Sequence, residues 1–403
     1  MIITRRSFIA GAAALAAAGH TRLLAEGRKI RVGIVGGGII GASTAVQLAR
    51  AGAEVIVFEK EEPAAGATGA SVAWINPVVN DAHYMKLRVE SIDAWQEDDM
   101  LYGMGAIWGG SISWVNGEGN IAKLKAKADL IRETYEEPKL LNGPGITEAC
   151  PVVFPGDEVS YAFQTRKDGH VDPVFATHRY LHIAERYGAK VIYPCEVTAI
   201  KVDKKGKFTS VATTKGDFDL DYLVSASGTA TPHVVSLLGQ KFELAHKPGL
   251  VVHTTPLPFE TNKVFEDDGY IEFKQYYDGR VLTRFGSPPD LPQHAGIRDH
   301  EMAYPSQDLK EWHARHLISE TAKIFPSVKD AEPAKILLGF RPYPLDNRPV
   351  IGPVPGVSNV FMVVTHSGIT LAPILGRYMA HEIMTGQQAD ILAPYRPTRY
   401  ISA

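Results

Sequence analysis

Val32-Gly33-Ile34-Val35-Gly36-Gly37-Gly38-Ile39-Ile40-Gly41, followed by Glu59, decides the fold of this chain. Ile30, Val32, Ile34 and Val35 are β-formers, so residues 29–35 read as a short buried strand. The glycines follow at once. Residues 42–51 then read as a helix closed by Gly52, and residues 54–59 as the next buried strand. A strand, a glycine turn, a helix and a second strand make a βαβ unit with parallel pairing. Gly36-x-Gly38-x-x-Gly41 has the dinucleotide spacing. Gly36 permits the tight turn, Gly38 lets a phosphate approach the backbone, and Gly41 lets helix and strand pack closely. The pyrophosphate would sit at the helix N-terminus, over the N–H groups of the first turn at Ile39 and Ile40, where the dipole favours an anion. Glu59, with Lys60 after it, ends the second strand where a carboxylate can accept both ribose hydroxyls. The motif alone does not separate NAD from FAD.

Working outward, the 403 residues suffice for a large core and two domains. A chain that is 45% hydrophobic and 22% charged is globular, and a formal net charge of −3 gives no basic footprint for nucleic acid. No run near the length of a spanning helix occurs after residue 25. Cys150 and Cys195 form no zinc or redox pattern; they are either one disulfide in an exported protein or two core thiols. His178-x-x-x-His182 has metal spacing on a helix, but no third ligand accompanies it, so no metal is expected.

Thr4-Arg5-Arg6-Ser7-Phe8-Ile9 precedes an Ala-rich apolar stretch. Charge followed by a short, weakly hydrophobic segment is the layout of a secretory signal, and the paired arginines resemble the twin-arginine type. Residues 1–25 are therefore expected to be a signal handled by the twin-arginine export machinery. The expected location is periplasmic or otherwise extracytoplasmic. That route carries folded proteins, which suits a chain that must first acquire a cofactor.

Residues 63–77 form a Gly/Ala/Ser-rich loop, and residues 83–97 a helix. Aromatic strands are expected around Trp108 and Trp114, and a charged helix over residues 123–137. Asp172-Pro173 opens a helix that Gly188 ends. Residues 190–200 read as one strand. Residues 221–225 read as a strand running into the turn Ser225-Ala226-Ser227-Gly228. Aromatic and β-branched runs over residues 249–285 suggest an antiparallel sheet. An amphipathic helix spans residues 306–325. A last strand (360–364) and a last helix (369–385, ended by Gly386) complete the chain. Parallel elements at the start, middle and end enclose antiparallel stretches, so two interleaved domains are expected.

These pieces together resemble the D-amino-acid oxidase superfamily of FAD enzymes, on the glycine oxidase, sarcosine oxidase and D-amino-acid dehydrogenase side. The resemblance rests on the glycine fingerprint, Gly66-Ala67-Thr68-Gly69-Ala70-Ser71, Asp168-Gly169-His170-Val171-Asp172-Pro173, and Ser225 to Thr229. It continues with Gly339-Phe340-Arg341-Pro342, Asp346-Asn347-Arg348-Pro349-Val350-Ile351-Gly352 and His366-Ser367-Gly368-Ile369-Thr370, in the family's order. It implies an α/β fold (α+β overall): a glutathione-reductase-type FAD-binding Rossmann domain interleaved with an antiparallel-sheet substrate domain. The expected boundaries are 28–84, 165–238 and 336–403 for the first, and 85–164 and 239–335 for the second.

The resemblance also implies the site. FAD would be held by the fingerprint, Thr68, Ser71, Ser227 and Gly228, with the Val197 backbone at the adenine. Gly368, Ile369 and Thr370 would point the N-terminus of the last helix at the flavin N1/C2 carbonyl edge. A positive dipole end there stabilises an anionic reduced flavin. Arg341 would clamp a substrate carboxylate, which suits a guanidinium with two parallel donors; otherwise it is a structural arginine paired with an acid. Tyr270 is either a substrate contact or a packed sheet aromatic. His366 either touches flavin or substrate or is structural. Arg284 falls near the position where related oxidases keep a lysine that promotes reaction with oxygen, and this different basic group counts against oxidase behaviour.

The reaction so implied is oxidation of the C–N bond of an amino acid or secondary amine by hydride transfer to flavin N5, giving an imine that hydrolyses. A D-amino acid or a cyclic amino acid is the first expectation, an N-methylated amino acid the second. The electron acceptor is oxygen or a quinone-linked carrier. A different class, an FAD-binding assembly or partner subunit without turnover, shares the same fold.

Overall fold

The computed structural model describes residues 28–402 except 80, 118–120, 157, 268–269 and 286–305. The expected signal, residues 1–25, lies outside the described residues. The chain divides into two compact units. Among the described residues, the first holds those of 28–68, 173–245 and 342–402, the second those of 69–172 and 246–341. These divisions differ from the expected ones by between 6 and 16 residues. The difference has a physical source: Trp74–Ile75 pairs antiparallel with Gly169–His170, and the Val171 N–H donates to Ala73 O. That pairing draws residues 69–84 and 165–172 into the second unit.

The first unit is built on a six-stranded sheet. Its order is Val350–Pro353, Val360–Val364, Tyr222–Ser225, Arg31–Val35, Glu54–Phe58 and Lys190–Ile192. All neighbours run parallel except Val350–Pro353, which is antiparallel to Val360–Val364. Arg31–Val35 lies at the centre, with Ile34 between Val57 and Val224. Its side chains are nearly all buried, as expected of a parallel strand covered on both faces. The helix Ile39–Arg50 follows and is buried over most of its length. It packs against the helices Pro173–Arg186 and Gly368–Thr385. A small antiparallel sheet, Val197–Val202, Phe208–Thr213 and Gly216–Asp219, closes this unit.

The strand expected over residues 190–200 is two strands, Lys190–Ile192 and Val197–Val202, in different sheets. Pro194 lies in the gap; it has no N–H to continue a ladder. Cys195 and Cys150 are both buried free thiols.

The second unit carries an eight-stranded sheet in the order Pro333–Pro344, Leu244–Thr254, Val281–Phe285, Ile271–Gln275, Val264–Asp267, Ser111–Asn116, Val159–Thr165 and Lys139–Leu141. Val264–Asp267 and Ser111–Asn116 pair parallel, in an otherwise mostly antiparallel sheet. Trp114 is fully buried in it, whereas Trp108 is on no strand and donates its Nε1–H to Asp99 at 3.0 Å. One face packs on the helix Gln307–Ile324 through Leu317, Ile318 and Ile324. Phe265, Phe273 and Phe325 stack there at 4.7 and 5.5 Å. Ser306 caps that helix by accepting from the Leu309 N–H. Among the described residues no helix is long and apolar enough to cross a membrane.

Candidate functional site

In the first unit the glycine turn forms a cradle. Gly36 has φ 110°, open to glycine but strained for other residues. A Cβ there would also lie 2.5 Å from Ala226 O, so the turn abuts Ser225-Ala226-Ser227-Gly228 directly. Two backbone bonds lock the arrangement, Gly36 N–H to Phe58 O at 2.9 Å and Ala226 N–H to Val35 O at 2.9 Å. Gly41 has no room for a side chain: its Cβ would stand 2.0 Å from Gly36 O. Glu59 accepts from the Gly37 N–H at 2.7 Å and, through its other oxygen, from the Glu61 N–H at 2.9 Å. Its carboxylate is therefore fixed beside the turn.

The helix Ile39–Arg50 begins at Gly38, which has no side chain to cap it, and carries no acid in its first turn. The first N–H groups of a helix lack intrahelical partners, so this end is suited to an anion. Thr68 accepts from the Ile39 N–H at 3.2 Å. The Ser367 side chain likewise does not cap the helix Gly368–Thr385. Its Gly368 lies against Ile40, with a built Cβ 3.4 Å from Ile40 Cδ1, so two positive helix ends converge. Farther along, a Cβ on Gly376 would fall 2.5 Å from Ser43 Oγ, and Ser43 donates to Ala372 O at 2.7 Å. This close crossing sets the two helix ends side by side.

The other expected cofactor residues are distributed as follows. Ser227 and Gly228, the latter at φ 55°, form the turn beneath Gly36, with Ser225 and Ser227 hydroxyls 2.9 Å apart. Val197 opens its strand with its side chain in the core. Ile369 and Thr370 are buried in the first turn of the last helix. Lys60 is exposed and paired with Glu61. Ser71 lies in the second unit. His366 is exposed and its ring stacks on Tyr343 at 4.1 Å, a partner that sequence reading missed although it follows Arg341 by two residues.

In the second unit the strands present a polar face opposite the helix Gln307–Ile324. Side chains alternate across a strand. Ile271 and Phe273 enter the apolar core on the helix side, so Glu272 and Lys274 point the other way. Thr283 bonds Thr321 of the helix at 2.7 Å, which leaves Leu282 and Arg284 on the polar face. Leu337 packs with Leu282 and Val251, so Gly339 and Arg341, at alternate positions beyond it, share that face. Arg341 crosses Gly249, whose built Cβ would lie 3.6 Å from its Nε, and donates to Pro248 O at 3.3 Å. Gly339 is needed because Ala70 Cβ would be 2.4 Å from any Cβ there.

Tyr270 is not on this face. It stands in the turn before Ile271–Gln275, 51% exposed, with its ring on Phe285 and its hydroxyl 3.2 Å from Glu320 of the helix. The structure thus separates it from the Glu272 side of its neighbouring strand. The polar side chains that sequence reading missed are Glu272, Lys274, Tyr276 and His253. Lys274 is fully buried, donates to Val171 O at 2.9 Å, and lies 4.5 Å from the Tyr276 ring centre. Burial pushes its amine well below the ordinary lysine range. Burial also raises the Glu272 carboxyl above the usual carboxylate range, against the pull of Arg284.

His253 stacks on Tyr276 at 5.9 Å, and burial lowers its pKa to about 4. Between pH 6.5 and 4 the unfolded chain binds this proton and the folded chain does not, so His253 costs stability as pH falls. Asp168, raised by burial to about 6, acts oppositely: there the folded chain holds the proton down to the unfolded pKa. The variant–wild-type difference isolates the histidine. His253→Phe keeps the stack and should gain stability over wild type as pH drops from 6.5 to 4, by on the order of 3 kcal/mol. Denaturant midpoints across that range check it; a constant difference would refute it.

Residues 31–382 match a family model described as FAD dependent oxidoreductase. The chain belongs to this DAO family. Its similarities extend over most of its length. It is 26% identical over 90% of this chain and 97% of the other to an uncharacterized oxidoreductase, YurR, of Bacillus subtilis. It is 25% identical to the mitochondrial dimethylglycine dehydrogenase of Rattus norvegicus over 91% of this chain, but spans only 44% of that longer protein. It is 25% identical to the glycine oxidase of Geobacillus kaustophilus over 92% and 97%. The crystal structure of that oxidase superposes with a TM-score of 0.78 over 93% of this chain and all of the other, at 22% identity.

FAD fits the cradle of this DAO-family chain. The acid-free first turn after Gly38, the fixed Glu59 carboxylate and the side-chain-free approach at Gly36 and Gly41 are what a pyrophosphate and a ribose require. When bound, FAD supplies a two-electron acceptor. The second positive helix end at Gly368 is the group in this unit suited to stabilising added negative charge.

Proposed function

We propose that this flavoprotein oxidises the C–N bond of an amino acid or a carboxylate-bearing secondary amine. The observation that carries the reading is Arg341, held by Pro248 O on the polar sheet face of the second unit. The named activities of its relatives, glycine oxidase and dimethylglycine dehydrogenase, support the same substrate class. Arg341 takes the substrate carboxylate through two parallel N–H donors and fixes its orientation. Loss of hydride from the carbon next to nitrogen gives an imine, which water hydrolyses. A substrate bound as the neutral amine needs no protein base. Within the class a D-amino acid or cyclic amino acid is the first choice, an N-methylated amino acid the second. Oxygen or a quinone-linked carrier then takes the electrons.

Anaerobic mixing of the FAD-loaded protein with D-, L-, N-methyl and cyclic amino acids tests this. At least one class should bleach the flavin. If no amine does, the enzyme reading fails and a non-catalytic FAD-binding subunit takes its place.

Export by the twin-arginine route is part of the proposal, motivated by Arg5-Arg6 ahead of a weakly hydrophobic segment. Arg5→Lys with Arg6→Lys should leave the flavin-loaded protein in the cytoplasm. Cell fractionation reads the outcome, and unchanged export would rule the route out.

A further inference from the structure

The polar face of the second unit carries more charge than a single carboxylate clamp needs. Glu272 and Arg284 sit directly opposite each other in register on neighbouring strands. The Arg284 Nε–H donates to Glu272 Oε2 at 2.8 Å, and a second guanidinium nitrogen contacts the same oxygen. The two side chains are only 5% and 19% exposed. Glu266 is opposite Glu272 on its other side, held by the Ser113 hydroxyl at 3.1 Å. The Glu272 carboxylate also feels the charge of Arg341. Across the sheet these groups form two acids and two arginines, with Arg341 at the far strand.

We propose that Glu272 determines substrate charge: by occupying Arg284 it leaves Arg341 to take one carboxylate and disfavours substrates bearing a second. The inference rests on the Arg341 reading above and narrows its substrate class to monocarboxylates. The physical reason is local neutrality. A desolvated arginine whose charge a carboxylate already neutralises gains little from pairing with a ligand carboxylate, whose own desolvation it then cannot offset. A second ligand carboxylate would in addition meet Glu266, which stands opposite Glu272 and keeps its charge whatever Arg284 does. Specificity of this kind comes from a built repulsion as much as from an attraction.

The test is calorimetric titration of the FAD-loaded protein with propanoate and with the diacids from malonate to glutarate. Wild type should bind propanoate more tightly than any of the diacids. Glu272→Gln frees Arg284 and should raise diacid affinity relative to propanoate at least tenfold. Arg284→Gln leaves Glu272 unpaired near Arg341, and should weaken propanoate at least tenfold. The two variants move affinity in opposite directions, so general damage to the fold cannot imitate both. Should neither single variant hold FAD, Glu272→Leu with Arg284→Leu removes the pair at similar net charge and should keep the wild-type preference. An unchanged diacid-to-propanoate ratio in a loaded Glu272→Gln protein, or loss of the preference in the double variant, overturns the proposal. Arg341→Leu separates the two readings: unaltered propanoate binding there defeats the clamp itself, whereas lost binding with an unchanged Glu272→Gln ratio defeats only the charge filter.

Discussion

Arg341→Leu is expected to weaken carboxylate-bearing substrates by ~2–5 kcal/mol, the cost of truncating one partner of a desolvated charge pair. Carboxylate-free amines of the same carbon skeleton should be unaffected. The reasoning is local. Arg341 is held by Pro248 O over Gly249, so its guanidinium is presented by main chain rather than by a mobile stem. Leucine fills comparable apolar volume along the same stem, which limits the change to charge and hydrogen bonding. Steady-state constants for a matched pair, one amino acid and its decarboxylated amine, give the result. An effect on kcat/KM confined to the acid supports the clamp. Equal losses on both members would show that Arg341 shapes the fold rather than binding the substrate.

Much of this architecture could be read from local sequence. Most of the cradle depends on residues within about 30 positions of one another: Gly41 is glycine because the Gly36 carbonyl stands where its side chain would be, and Glu59 closes on Gly37; Gly36 is glycine partly because Ala226, far along the chain, abuts it. Such constraints leave a spaced pattern. The strand break at Pro194 was also visible, since a proline lacks the donor a continuous ladder needs, yet the run of β-formers around it reads as one strand. What sequence could not show was the register of distant strands. Glu272 and Arg284 become partners only through the pairing of Ile271–Gln275 with Val281–Phe285. The alternation of Glu272 and Lys274 with Ile271 and Phe273 was a usable signal that one face of this strand is polar although every residue is buried. Tyr270 misleads for the same reason: by alternation it belongs with Glu272, but a turn precedes the strand and carries its ring to the helix side.

Gly38→Val and Gly41→Val should fail in different ways, and the difference reports on the cofactor. At Gly41 an added Cβ meets Gly36 O at 2.0 Å, so helix and turn must separate in any state of the protein. Overpacking of that kind costs ~1–3 kcal/mol or more, and the variant should be unstable and flavin-free. Gly38 is different. Its backbone, φ −75° and ψ 178°, is open to any residue, and within 4 Å its Cβ would meet only Thr68 Oγ1, at 3.1 Å. The protein alone has little reason to require glycine there. A pyrophosphate passing over the helix N-terminus supplies one, because it needs the space that a side chain would fill. Gly38→Val should therefore fold with an apoprotein melting temperature near that of wild-type apoprotein. Its FAD affinity should fall by about 100-fold, or ~3 kcal/mol. Flavin fluorescence quenching on titration of the apoproteins measures this. Full FAD affinity in Gly38→Val would mean that the pyrophosphate does not cross the first turn. Equal destabilisation of both apoproteins would mean that Gly38, like Gly41, is glycine for the sake of the fold.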